Sequence, residues 1–233
     1  MDDLDDRRDI DDRDGLDAGD LSSWLSSMAG PLRGDHPSDV PCGTCTACCT
    51  AAQFIHIGPD ETDALGHIPE ALLFPAPRMP RGHVLLGYDE RGHCPMLIDG
   101  QCSIYEHRPR TCRTYDCRVF PASGVQPGDG DQASIGRRAL RWRFRYGSPS
   151  AREEHQAVQA AARFLRQEAD RFPEGLVPTN PTQLAVLAVE VHGAFLGRDG
   201  ATGVVRLVEP DPALVRDAIR ERMAGARSGQ GDR

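Results

Sequence analysis

Apolar positions recur along this chain with changing period, and the changes divide it. Leu21, Trp24, Leu25 and Met28 stand at helical spacing inside an otherwise polar first forty residues. Phe54-Ile55-His56-Ile57 is a short β-like run. Gly58-Pro59-Asp60 then opens a helix through Leu65, and the proline-rich residues 69–82 (PEALLFPAPRMPRG) read as an irregular loop. Two further apolar pieces, CPMLI and QCSIY, flank Asp99-Gly100, a strong two-residue turn signal. A hairpin is expected there, with Ile98 opposite Gln101 and Leu97 opposite Cys102. Arg108-Pro109 breaks the strand and opens a short helical turn that carries Cys112.

Residues 123–131 (SGVQPGDGD) read as a linker. Leu140, Trp142, Phe144 and Tyr146 then alternate with Arg141, Arg143 and Arg145, the period of a half-buried strand. Beyond, the pattern turns helical. Ser150 and Glu153 make a capping-box pair ahead of a face of Val158, Ala162, Leu165 and Ala169. Asn180-Pro181 starts a second helix that stops near Gly197, and a short strand follows at Val204–Val208. Asp211-Pro212 starts a third, with Leu214, Val215, Ala218 and Ile219 inward and Gly225 past its end.

The fold class expected is α+β: a small cysteine-rich metal-binding domain of short helices and a β-hairpin, plus a helical C-terminal module. The divisions are a disordered acidic tail over 1–40, the cysteine domain over 41–122, a linker with the Arg/aromatic strand over 123–147, the helical module over 148–226, and a short disordered tail over 227–233.

Charge sharpens the first division. The net charge is −8, and residues 1–20 hold ten Asp against three Arg. Acidity therefore belongs to the start of the chain, where few apolar residues accompany it. All 27 basic residues are Arg, which removes Schiff-base and phosphate-binding lysines from consideration. The Arg-aromatic stretch 137–146 interleaves cations with rings as single-strand binders do. The body as a whole is not basic, however, so a half-buried strand is preferred and a nucleic-acid partner is not expected. The stretch has a further option, holding the acidic tail of the same molecule. The first twenty residues lack a secretory pattern, and Leu184–Leu196 is too short and too polar to span a bilayer. The expected location is cytoplasmic, with no membrane partner.

The chemistry lies in eight cysteines, all between positions 42 and 117. Cys42, Cys45, Cys48 and Cys49 form C-x2-C-x2-C-C; Cys94, Cys102, Cys112 and Cys117 are spread out. Thiols in a reducing cytosol favour metal over disulfides. On a helix, or a turn leading into one, the first four would point into an arc of about 120°. Adjacent Cys48 and Cys49 diverge by about 100°, which suits different ligand positions better than one shared ion. A zinc ribbon would use C-x2-C knuckles in both groups, and the second has none. C-x2-C-x2-C occurs in bacterial ferredoxins, but the C-P of that motif is here Ala52-Gln53. Zinc and an iron–sulfur cluster both stay open, with a slight lean to iron–sulfur. His56, His93 and His107 are possible substitutes for a thiolate. Arg108 and Arg113 flank Cys112 and would offset the negative charge of bound thiolates.

These motifs resemble the YkgJ-type cysteine-cluster family of zinc- or iron-chelating proteins. The resemblance rests on Cys42, Cys45, Cys48 and Cys49, on Gly92 and Cys94, and on the block Cys102-Ser103-Ile104-Tyr105-Glu106-His107-Arg108-Pro109-Arg110-Thr111-Cys112-Arg113. It covers about residues 41–120 and implies a metal-binding domain. Longer relatives include flagellin lysine methylases, from which this chain departs in length and in lacking a glycine-rich nucleotide motif. The function expected is metal binding by the thiolates of both cysteine groups, with an unknown protein partner. Two alternatives are an iron–sulfur enzyme of redox or protein-methylation type and a thiol-based redox-sensing interaction protein. Catalytic residues are unknown.

Overall fold

The computed structural model describes residues 15–33, 38, 40, 42–128 and 130–228. In chain order the strands are β1 (Leu16–Asp20), β2 (Ile55–Ile57), β3 (Leu73–Pro75), β4 (Val84–Leu86), β5 (Leu97–Ile98), β6 (Gln101–Cys102), β7 (Trp142–Arg145), β8 (Leu196–Arg198) and β9 (Val205–Leu207). The α-helices are α1 (Leu21–Arg33), α2 (Thr62–His67), α3 (Arg110–Thr114), α4 (Val119–Ser123), α5 (Ala133–Ala139), α6 (Pro149–Gln167), α7 (Pro181–Val191) and α8 (Pro212–Ser228). The strands form small sheets, and the helices dominate the C-terminal region, so the chain is α+β. Among the described residues no helix is long and apolar enough to cross a membrane.

Apolar burial is split between two clusters. The smaller gathers Ile55, Ile57, Ile68, Leu86, Met96 and Ile104 under the antiparallel sheet β2-β4-β3, with Cys94, Cys102 and Cys112 packed on it. The larger joins α1, α4, α5, α6, α7 and α8, and takes in Ala51 and Cys117. Each helix is there because one face is apolar: α6 buries Ala157, Val158, Ala161, Ala162 and Leu165. Asn180 caps α7 through a bond from the Gln183 N–H, with Pro181 in the first turn.

The expected hairpin forms, with Leu97 opposite Cys102 and Ile98 opposite Gln101. Asp99 and Gly100 both take positive φ, 50° and 73°, as a tight hairpin turn requires. Several expectations are corrected. Residues 16–33 are not an unstructured tail. The β1 strand lies parallel to β7, with Leu16 opposite Trp142, and α1 buries Leu21, Trp24 and Met28. Gly19, at φ +89°, sits at the register irregularity between Asp17 and Asp20, where its missing Cβ removes the strain. The acid-rich residues 1–14 lie outside the described residues, as do 229–233.

Residues 69–82 include β3, and α5 lies inside the expected linker-and-strand stretch 123–147. The α6 helix is capped by Ser148, whose Oγ accepts from the Ala151 N–H, rather than by Ser150. Ala169 falls in an exposed 3-10 turn beyond α6. On α8, Val215 and Ile219 point inward, Leu214 is exposed, and the helix continues past Gly225.

Candidate metal centre

Local hydrogen bonding brings the two cysteine groups together. Cys42 to Cys49 is not a regular helix: a turn, closed by Cys45 N–H donating to the Cys42 carbonyl at 3.0 Å, leads into a 3-10 turn at Cys48–Thr50. The G-x-C piece is then pressed against it. The Ala52 N–H donates to the Gly92 carbonyl at 2.8 Å, and the Cys94 N–H donates to the Cys49 carbonyl at 2.7 Å. A Cβ on Gly92 would stand 3.1 Å from the Ala52 Cβ and would need φ +77°, so glycine permits the approach. The hairpin carries Cys102 and α3 carries Cys112. Buried Glu61 ties α3 in place, accepting from the Gly58 N–H at 2.9 Å and from the Arg110 N–H. The Thr111 hydroxyl donates to the His56 carbonyl at 2.7 Å.

Cys117 is set from the opposite side. Its sulfur accepts the Trp142 indole N–H at 3.1 Å. On either side of it, Asp116 and Arg118 form a buried ion pair at 2.8 Å. Asp116 also accepts from the Trp24 indole at 2.9 Å and the Ser38 hydroxyl at 3.2 Å, and Arg118 donates to the Ala18 carbonyl at 3.1 Å. The segment holding Cys117 is thereby fastened to β1 and α1.

All eight cysteines line one cavity of about 490 Å³, and all eight are free thiols. Burial is the leading cause of every shifted thiol pKa here. It pushes Cys49, Cys112 and Cys117 up to about 12, and it raises Cys42, Cys48 and Cys94. The remaining influences identify neighbours. Cys48 is raised further by Cys117, Cys45, Cys49 and Cys42, and Cys117 feels Cys42 and Cys45. Cys112 is raised further by Cys94, Cys49 and Cys102, and Cys49 by Cys94, Cys102 and Cys45. Cys49 thus faces the distal cysteines while Cys48, beside it in sequence, faces Cys117.

Arg108 lines the cavity; its charge opposes the rise at Cys42, Cys49 and Cys112. Its guanidinium lies 3.6 Å over the Tyr105 ring and donates to the Tyr105 carbonyl at 2.6 Å. Arg113 stands outside the cavity wall, and its charge reaches Asp63 instead. None of the three candidate histidines lines the cavity. His56 pairs with His83 at 2.9 Å, the His93 backbone N–H donates to Asp89, and His107 faces Asp63. Sequence reasoning missed Arg138, which lines the cavity and donates to the Cys42 carbonyl at 3.3 Å. It was hidden in the Arg-rich run; α5 turns it inward, over the Trp142 ring at 4.9 Å.

The donor set fits a thiolate-bound metal group. Buried thiols with raised pKa values lose their protons to solvent when a bound cation compensates the buried charge, and Arg108 and Arg138 add positive charge at the wall. Among the described residues no three cysteines bring their sulfurs within 4.8 Å of one another. Two thiolates on one tetrahedral zinc stand about 3.8 Å apart, whereas those of an iron–sulfur cube bind different irons and spread wider.

A family model, CxxCxxCC, described as "Putative zinc- or iron-chelating domain", matches residues 41–130. No curated protein and no solved structure matches the chain.

Proposed function

We propose, from the match of residues 41–130 to the CxxCxxCC model of a zinc- or iron-chelating domain, that the protein holds two metal centres side by side in one cavity. Cys42, Cys45, Cys48 and Cys117 would bind one; Cys49, Cys94, Cys102 and Cys112 would bind the other. The observation that carries this division is the packing of the cysteines: Cys94, Cys102 and Cys112 sit on the small apolar cluster with the Cys94 N–H bonded to the Cys49 carbonyl, whereas Cys117 belongs to the helical cluster. Eight thiolates are two complete four-thiolate sets, the number taken by a structural zinc or an iron–sulfur cube.

Of the two, iron–sulfur is the stronger reading, because the sulfurs ring a 490 Å³ cavity and are not gathered to a point. Such a group, when bound, supplies one-electron redox capacity together with a structural cross-link. The protein's own part is to keep the thiols buried, to offset their charge with Arg108 and Arg138, and to tie Cys117 to the helical core through Trp142. Free thiols in this number fit a reducing compartment, so the proposed location is the cytoplasm.

Metal and acid-labile sulfide analysis, with a visible spectrum of anaerobically purified protein, tests the assignment. A brown protein with labile sulfide and absorption near about 400 nm is expected of the clusters. A colourless zinc protein would overturn the iron–sulfur version, and a metal-free protein with disulfides would overturn the whole assignment.

A further inference from the structure

One buried polar group on the cysteine cavity lacks a partner. Tyr115 lines the cavity, and its hydroxyl is buried with no hydrogen bond among the described residues. The residue closes α3 as its C-cap, with extended backbone at φ −73° and ψ 121°, between Cys112 and Cys117. The chain is pinned on both sides of it. Thr111 and Glu61 hold α3, and Asp116 is fixed by Trp24, Ser38 and Arg118. The ring packs on the helical cluster, so carrying the hydroxyl out to water would break these contacts. Thr182, in the first turn of α7, faces the phenol but completes no hydrogen bond with it.

A phenol keeps its proton at neutral pH and is a hydrogen-bond donor. Buried donors are almost always paired, and leaving one unpaired is costly. The neighbours of this one are sulfurs. After burial, Cys48 and Cys117 act most on the phenol, and the Cys117 sulfur already accepts the Trp142 indole N–H at 3.1 Å. Sulfur that carries negative charge, as a metal-bound thiolate or sulfide does, is a stronger acceptor than a neutral thiol. We propose that the Tyr115 hydroxyl donates to a sulfur of the metal group bound on the Cys48 and Cys117 side of the cavity, an inference that rests on the iron–sulfur reading above. Tyr115 is then a positioning and tuning residue, not a ligand. A hydrogen bond to sulfur withdraws electron density and favours the reduced, more negative form of such a group. Tyr115 and Trp142 would together raise the reduction potential of this centre, and removing the phenol would leave that of its neighbour unchanged.

The test is a potentiometric titration with dithionite, followed by electron paramagnetic resonance, on anaerobically purified wild type and Y115F. Two reduction steps are expected in the wild type. In Y115F one step should move to more negative potential, by about tenfold in the reduction equilibrium or about 59 mV for one electron, while the other stays in place. Circular dichroism checks that Y115F folds. Ring-fluorinated tyrosine placed at position 115, a stronger donor of nearly the same shape, should move the same step to more positive potential, which a loss of packing would not do. One step in place of two, moved by Y115F, would keep the donor and discard the second centre. Potentials unmoved in both variants, at unchanged iron and labile sulfide content, would give the phenol to Thr182 and overturn the role of Tyr115 while leaving the clusters standing. A protein without iron and labile sulfide would overturn the iron–sulfur reading and this proposal with it.

Discussion

At the scale of single residues, two side chains of like charge in one motif, five residues apart, are placed differently. Arg108 lines the cavity and opposes the rise of three thiol pKa values; Arg113 stands outside the wall. R108Q should therefore lose metal faster to a chelator, while R113Q should match the wild type in the same competition. Asp116 offers a separate test. Its carboxylate is fully buried against Arg118 and accepts from the Trp24 indole. D116N removes the carboxylate of a buried ion pair and should cost about 3 kcal/mol in urea unfolding. The divergence of Cys48 and Cys49 was expected from α-helical angles, whereas the segment is a turn and a 3-10 turn. Which sulfurs each would face was not legible, because Cys117 is placed by the Trp142 indole, a contact between residues 25 apart in sequence.

At the scale of elements, local signals read well and long-range pairings did not. The Asp99-Gly100 hairpin and the Asn180 cap are written in a few consecutive residues, and both form as read. The parallel pairing of β1 with β7 joins residues more than a hundred positions apart, and no periodicity encodes it. It turns an acidic stretch that looked too polar to pack into a docked strand and helix, with Asp17 paired to Arg145 at 3.1 Å. Truncation just before Gly34 removes Leu21, Trp24 and Met28 from the core, each worth about 1.5–3 kcal/mol. It should lower the melting temperature sharply relative to truncation just before Gly15. Equal melting temperatures would show that β1 and α1 contribute nothing.

The α6 helix carries a pH test as well. Burial lowers the His155 pKa, against the opposing effect of its bond to the Pro121 carbonyl. The neutral ring donates from Nε2 to that carbonyl at 3.1 Å and accepts the Tyr146 hydroxyl at Nδ1 at 2.6 Å. As pH falls below the unfolded value of about 6.5, the unfolded chain takes up the proton first, so stability is present above that pH and lost below it. H155Q should show a shallower loss of stability from pH 7 to pH 5 in parallel urea titrations.

At the scale of the whole molecule, the cavity lies between two apolar clusters. Cys94, Cys102 and Cys112 pack on the small one under β2-β4-β3, and Cys117 belongs to the large helical one. Metal bound across that boundary would join them, and its binding free energy would count toward folding. The small cluster holds six buried apolar residues and loops rich in proline, so it depends on that bond more than the helical core does. Native mass spectrometry of the anaerobically purified wild-type chain measures the claim most directly, since it counts centres without any substitution. Two centres in one cavity predict a mass excess equal to two identical four-thiolate metal groups on each chain. An excess equal to one group, or the mass of a bare chain that has lost hydrogens to disulfides, would contradict it.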